Sequence, residues 1–290
     1  MERTAETQRL GMALAITTIY FFAEVLGGIL TNSLALLSDA GHMFSDIAAL
    51  GLCLFAFHMS RRPATAKKTY GYHRMEILAA LINGLTLWLV VGIIFHEAYR
   101  RLLDPPEVQS MGMLVIALLG LMVNVIAGVI LYGSQEQSLN LHGAFLHILG
   151  DTIGSVGTVL AGLVMLFTGW YLVDPLISVM IGLLILYTSW DLIKESVDIL
   201  MQSAPRGIQV EEVQRVLEEI RGVIKVHDLH VWSVTSGVFT LSVHAVIGPD
   251  EEPHRILDQI EEKLKSQFGI EHTTVQLEIE DREAREFQAF

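Results

Sequence analysis

Six stretches of this chain, 9–30, 34–58, 75–99, 111–133, 143–168 and 174–198, are each long and apolar enough to cross a bilayer. A crossing needs about 20 residues. Inside lipid each backbone polar group must be satisfied within the protein, so runs of this length are predicted to be helices. The overall balance agrees. Hydrophobic residues make up 52% of the chain and charged residues 18%, with a mean hydropathy of +0.48, whereas soluble domains carry roughly 25% charge. Gly and polar residues inside several runs suit helices that pack on one another. The first run is too long for a cleavable signal peptide and no small-residue cleavage site follows it, so it is expected to remain as a span. The single cysteine, Cys53, lies in an apolar run and excludes an intrachain disulfide. A net charge of −13 argues against nucleic acid as a partner.

Most loops are short. "SRRPATAKKTYGYHR" joins the second and third spans, and "LLDPPEVQS", with its Pro-Pro turn signal, joins the third and fourth. Arg61, Arg62, Lys67 and Lys68 place the first of these loops on the cytoplasmic side. Six spans then put both termini in the cytoplasm. Arg100 and Arg101 stand against this orientation.

The composition changes after residue 202. "QVEEVQRVLEEIRGV" has helical periodicity, "KVHDLHVWSV" and "FTLSVHAVI" alternate as strands, "PHRILDQIEEKLKSQF" is helical, and "HTTVQLEIE" is a last strand. The order αββαβ predicts a small two-layer α+β domain over 203–290, behind a membrane domain over 1–202. From 203 onward there are 17 acidic residues against 9 basic ones, mostly a solvated surface that also favours cations.

Against this background the second span contains "SDAGHMFSD". Burying two aspartates and a histidine there costs several kcal/mol unless something compensates them. His42 and Asp46 are spaced i, i+4, and so are His147 and Asp151 in the fifth span. That spacing puts both side chains of a pair on one helix face. Two such faces, opposed, offer two imidazoles and two carboxylates, a tetrahedral set for a borderline dication such as Zn²⁺. The carboxylates also balance the ion's charge. Moreover "SLALLSDAGHMFSD" and "SLNLHGAFLHILGD" share the frame S-L-x-L-x5-H-x3-D at an offset of 105 residues. With the second span running inward and the fifth outward, the pair forms an inverted-topology relation with a site near the midplane. Nine residues beyond Ser33 at ~1.5 Å each is about half of a bilayer core. A polar pair that merely ties the bundle together is the alternative.

The residues "SLALLSDAGHMFSD", "YGYHRMEILAALING", "HGAFLHILGDTIGSVG" and "VHDLHVWSVTSG" resemble the cation diffusion facilitator family, in its zinc-transporting branch. The resemblance runs over essentially the whole chain. It implies six membrane helices, a ferredoxin-like, metallochaperone-like cytoplasmic domain that senses metal and dimerises, a homodimer, and export of Zn²⁺ in exchange for H⁺. It also implies His42, Asp46, His147 and Asp151 as the transport-site ligands. His227, His244 and His254, with Glu278 on the last strand, are the candidates for a cytoplasmic regulatory zinc site, beside a reading in which they are plain surface residues. Some relatives hold another metal in the loop before the third span. Here His73 is the one candidate in that loop. Relatives often carry a His-rich loop between spans four and five, whereas this chain has only His142 there.

Other polar residues divide by position. Asp39, one turn before His42, is a candidate for supporting a ligand or leading ions inward. Asn83 and Asn124 are expected to bond between helices, Glu24 is open to either role, and Asp174 with Pro175 starts span six. Arg74 and Glu76 are expected to make polar contacts that position a helix, and Trp232 to serve packing or a dimer contact. Histidine, with an ordinary pKa near ~6.5, suits exchange of metal for protons. No cofactor is expected: Zn²⁺ enters as substrate and as regulatory ligand. An intramembrane metalloprotease would need a motif such as H-E-x-x-H, which does not occur, and no nucleophile elbow or Walker loop is present. The expectation is a non-enzyme. The alternatives are an exporter mainly for Cd²⁺, Co²⁺ or Fe²⁺, and a membrane-bound metal sensor. Compact loops without targeting extensions point to a prokaryotic inner membrane.

Overall fold

The structure is a computed structural model that describes residues 2–60, 62–132 and 139–280. The side chains of 2–14, 46, 49, 50, 53, 54, 56, 57, 60, 131 and 139–147 lie outside that description. Six long helices come first: α1 (Glu2–Thr31), α2 (Leu34–Ser60), α3 (Met75–Leu103), α4 (Ser110–Tyr132), α5 (Leu139–Thr168) and α6 (Val173–Leu200). Then follow α7 (Val210–Glu218), β1 (Val223–Thr235), β2 (Val238–Ile247), α8 (Pro253–Phe268) and β3 (His272–Glu278). Among the described residues four stretches are long and apolar enough to cross a membrane: Met75–Leu103, Ser110–Ile130, Ile148–Thr168 and Val173–Leu200. Ala15–Thr31 is a shorter apolar stretch, and α2 carries Ser38, Asp39, His42 and Ser45 in its first half.

The chain divides into two compact units. The first comprises Met1–Gly51 and Ile82–Asp191. Here α4 packs on both α1 and α5. Its core joins Ala35 and Leu36 of α2, Met113 and Leu114 of α4, and Ala161 and Met165 of α5. Close approach needs small residues. A Cβ on Gly120 would collide with the Tyr20 hydroxyl, and one on Gly27 would meet Ile116 at 2.8 Å. Polar bonds between helices add to this packing: Ser45 Oγ donates to Asn83 Oδ1 at 3.0 Å, and Asn124 Nδ2 to Ser155 Oγ at 3.0 Å. Both asparagines thus bond between helices, as the sequence predicts.

Helix α3 runs past its apolar run to Leu103, because Glu97 pairs with Arg100 at 3.2 Å and Arg101 at 3.1 Å on the same face. Arg101 is 9% exposed and also donates to the Asn32 carbonyl at 2.6 Å. It is a structural cation, not a free loop charge. Asp174, fully buried at the start of α6, accepts from Ser33 Oγ at 2.6 Å, Leu34 N at 2.7 Å and Ala35 N at 3.2 Å. It thereby caps the first turn of α2, whose amides have no partner within their own helix.

The second unit comprises Leu52–Leu81 and Leu192–Phe290. Its sheet has the order β1-β2-β3, with β1 antiparallel to β2 and β2 parallel to β3. Ser236–Gly237 closes the β1–β2 hairpin as a two-residue turn, and Gly237 takes φ +74. In α8, Ile256, Ile260 and Leu264 recur every fourth residue and are fully buried against Leu241, Val243 and Ala245 of β2. The helix ends on Gly269 in the left-handed region (φ 66), with Ile270 N bonded to Leu264 O. This is the αββαβ order read from the sequence. Glu76, at the start of α3, accepts from Thr235 Oγ1 of β1 at 2.9 Å, a polar contact of the kind expected for it.

Candidate metal centres

In the first unit α2 carries His42 and α5 carries Asp151, and the two side chains meet: His42 Nε2 stands 3.5 Å from Asp151 Oδ1. They are 22% and 14% exposed, enough to be reached by water yet largely enclosed. Both line a cavity of about 180 Å³, together with Asp39 of α2 and Ile181 and Ile185 of α6. An imidazole nitrogen and a carboxylate oxygen from two different helices, facing one small cavity, are a pair of donors suited to a dication. Asp46 and His147 stand one turn away on the same two helices, and their side chains lie outside the described residues.

In the second unit the sheet register builds a cluster. His227 of β1 pairs with His244 of β2, and Val246, two residues on and on the same face, pairs with Glu278 of β3. One ligand atom each of His227, His244 and Glu278 lies within 4.8 Å of the others. His227 Nε2 is 3.3 Å from Glu278 Oε2, His244 Nδ1 is 3.7 Å from Glu278 Oε1, and the two rings meet edge to face at 5.3 Å. His227 and Glu278 are 3% exposed and His244 21%. Burial pushes the Glu278 carboxyl up, but hydrogen bonds from Gln276 and His227, together with the charges of His227 and His244, outweigh it and hold the group below its ordinary range. Two imidazoles and a carboxylate at these spacings fit the donor chemistry of Zn²⁺.

Asp228 and Gln276 join this cluster without having been singled out in the sequence. Asp228 Oδ2 lies 3.8 Å from His244 Nε2, and Gln276 Nε2 donates to Glu278 Oε1 at 2.7 Å. Asp228 takes φ 48, where β1 bulges between His227 and His230, a conformation that Asp tolerates. Gln276 was findable, since i and i+2 on a strand share a face. The other predicted histidines lie apart. His254 is exposed in the first turn of α8, where Pro253 and the cap by Glu252 turn that end toward solvent. His73 is exposed, and among the described residues no group of three potential ligands forms about it.

Two family models match the chain: the cation efflux transmembrane domain over residues 10–201, and the cation efflux protein cytoplasmic domain over 205–280. The chain is similar to the cadmium, cobalt and zinc/H(+)-K(+) antiporter of Bacillus subtilis (strain 168), with 43% identity over 91% of this chain and 86% of that protein. It is similar to the zinc transporter ZitB of Escherichia coli (strain K12), with 41% identity over 93% and 87%. A solved structure of the metal-bound C-terminal domain of the CzcD transporter from Cuprividus metallidurans is 34% identical, covers 25% of this chain and 100% of that one, and has a TM-score of 0.24. The chain is an integral membrane protein of a transporter class, not an enzyme class. It belongs to the cation efflux, or cation diffusion facilitator, family, in the zinc-transporting branch.

Proposed function

We propose that the chain exports Zn²⁺ in exchange for H⁺ by alternating access around His42, Asp46, His147 and Asp151. The observation that carries the reading is the approach of His42 on α2 to Asp151 on α5 at 3.5 Å beside a cavity of about 180 Å³. Each belongs to an H-x3-D pair, so the helical spacing supplies two more ligands one turn away. Metal enters when the imidazoles are neutral and the carboxylates ionised, and its entry expels protons. Exporting a dication against ~100 mV costs about 4.6 kcal/mol, and one incoming proton returns about 2.3. Each unit of pH gradient adds about 1.4. Two protons per ion cancel the charge moved, whereas one suffices only for modest gradients.

In this reading the chain has six spans, with both termini in the cytoplasm of a prokaryotic inner membrane. Residues 1–202 transport and 203–290 sense metal and hold a homodimer. Occupation of the His227, His244 and Glu278 cluster by Zn²⁺ reports the cytoplasmic metal level. The names of the relatives, which include cadmium and cobalt, favour a broader substrate range as the second reading. Two imidazoles with two carboxylates accommodate Cd²⁺ and Co²⁺ as well as Zn²⁺.

The test is Zn²⁺ uptake into proteoliposomes under an imposed pH gradient, with wild type, His42→Ala, Asp46→Ala and Asp151→Ala compared. Flux that follows the gradient and is lost in each variant is expected. Flux unchanged in the variants moves the ions to another path. Tight binding without flux in wild type makes the protein a sensor.

A further inference from the structure

Glu24 of α1 is 1% exposed, one of the most buried acidic groups of the first unit. The Tyr20 hydroxyl stands 3.0 Å from Glu24 Oε1 and 3.2 Å from the Ile116 carbonyl of α4. That hydroxyl has one hydrogen to give, and a carbonyl and a carboxylate can only accept. It donates to Glu24 Oε1 at the shorter distance, with the Ile116 carbonyl as a second acceptor, so the proton of an acidic Glu24 is free to lie on the other oxygen. The other oxygen, Oε2, is buried and meets no N–H or O–H donor among the described residues. Glu24 has a second carboxyl, Asp39 of α2, as a hydrogen-bonding neighbour. Two ionised carboxylates cannot bond, and one shared proton makes the contact favourable.

Asp39 is 8% exposed and lines the same cavity as His42 and Asp151. The groups that face Glu24 are therefore Tyr20 on its own helix, Asp39 of α2, the neutral Ile116 carbonyl of α4, and the more distant charge of Asp151 on α5. No lysine or arginine is among these groups, so in the metal-free state a proton is what neutralises the pair.

We propose that Glu24 carries one of the protons exchanged for the metal, handed to and from the cavity through Asp39. The proposal rests on the export reading above and adds a residue outside the four ligands. A dication held between α2 and α5 supplies the positive charge that the pair otherwise takes from its proton. The O–H bond of the Glu24–Asp39 pair then breaks, and the proton passes to water in the cavity. When the ion leaves, a proton from that water restores the bond. One proton moves per ion by this route, beside those displaced from the ligands themselves.

The experiment counts protons released per Zn²⁺ bound, with an indicator dye in weakly buffered detergent solution. It uses the full chain in a His244→Ala background, so that the C-terminal cluster does not contribute. Glu24→Gln is expected to bind Zn²⁺ while releasing about one proton fewer per ion than its parent, and Glu24→Asp to regain it. A merely structural Glu24 would change affinity and leave the proton count per bound ion unaltered, which overturns the proposal. An infrared difference spectrum of the parent protein gives a second readout that needs no Glu24 variant to fold. Loss of a protonated-carboxyl band on adding Zn²⁺ supports the proposal, and absence of that loss overturns it. Adding His42→Ala separates the two readings. If that variant binds Zn²⁺ as its parent does, the transport-site reading fails, whatever Glu24 does.

Discussion

Ser33 and Asp174 are 141 residues apart, yet the Ser33 hydroxyl donates to the Asp174 carboxylate at 2.6 Å in a fully buried contact. The same carboxylate holds the first amides of α2 and lies 3.5 Å from the Arg101 guanidinium of α3. One side chain thus ties the ends of three helices together and sets the start of the helix that presents His42. Asp174→Ala removes both a cap and the partner of a buried cation. Breaking such a buried pair costs about 3 kcal/mol or more. A lowered unfolding midpoint of the purified protein in detergent is expected. The loss is also expected to exceed that of Glu97→Ala, which removes only the more exposed partner of Arg101.

Asn124 and Ser155 bond at 3.0 Å between α4 and α5. In membrane interiors such bonds contribute modestly, about 0.6 kcal/mol on average and at most about 1.7. A double-mutant cycle with Asn124→Ala and Ser155→Ala is therefore expected to give a coupling below 2 kcal/mol. A larger value would mean that the alternative partners available to these groups in the unfolded chain are fewer than supposed.

What was legible from the sequence follows from short-range periodicity. His42 and Asp151 stand out in the sequence because i, i+4 pairs repeat in two apolar runs, and the structure brings the two to 3.5 Å; the αββαβ order is legible because the hydrophobic period changes after residue 202. Asn83 and Asn124 were read correctly because a buried amide in a helix has few uses other than bonding a neighbour. Asp174 was read only as a helix start, since its partners Ser33, Leu34 and Ala35 are brought to it by packing that no local pattern encodes. Arg101 was counted as a loop charge for the same reason, before its contacts with Asn32 and Asp174 were visible. In the C-terminal domain the family resemblance names His254 together with His227, His244 and Glu278. The strand register gathers three of the four, His227, His244 and Glu278, with Asp228 and Gln276 around them, and leaves His254 apart.

Glu278 gives a pH dependence with a definite sign. Its carboxyl is held below the ordinary range, so the folded state favours the ionised form. That stabilisation is fully present above the ordinary glutamate value of about 4.3 and is lost as pH falls through the lower folded value. Thermal unfolding of the metal-free protein, followed in acid below about pH 4.3, is expected to show wild type losing stability more steeply than Glu278→Gln. Parallel curves for the two would mean that the bonds from Gln276 and His227 contribute no net preference for the carboxylate.

Gly120 and Tyr20 offer a test of how tightly α1 and α4 are fitted. A Cβ at position 120 would collide with the Tyr20 hydroxyl and lie 2.9 Å from its Cε1. The ring must then move, and its bonds to Glu24 and Ile116 move with it. Overpacking of this kind costs about 1–3 kcal/mol, so Gly120→Ala is expected to lower the unfolding midpoint in detergent. Tyr20→Ala is expected to destabilise as well, by leaving a cavity and removing the hydroxyl that meets Glu24. The two losses should not add, because the clash requires both the new methyl group and the ring. A double variant that is no less stable than Tyr20→Ala alone would establish that the glycine is there to admit the tyrosine. Additive losses would mean that Gly120→Ala perturbs α4 for a reason unconnected with Tyr20.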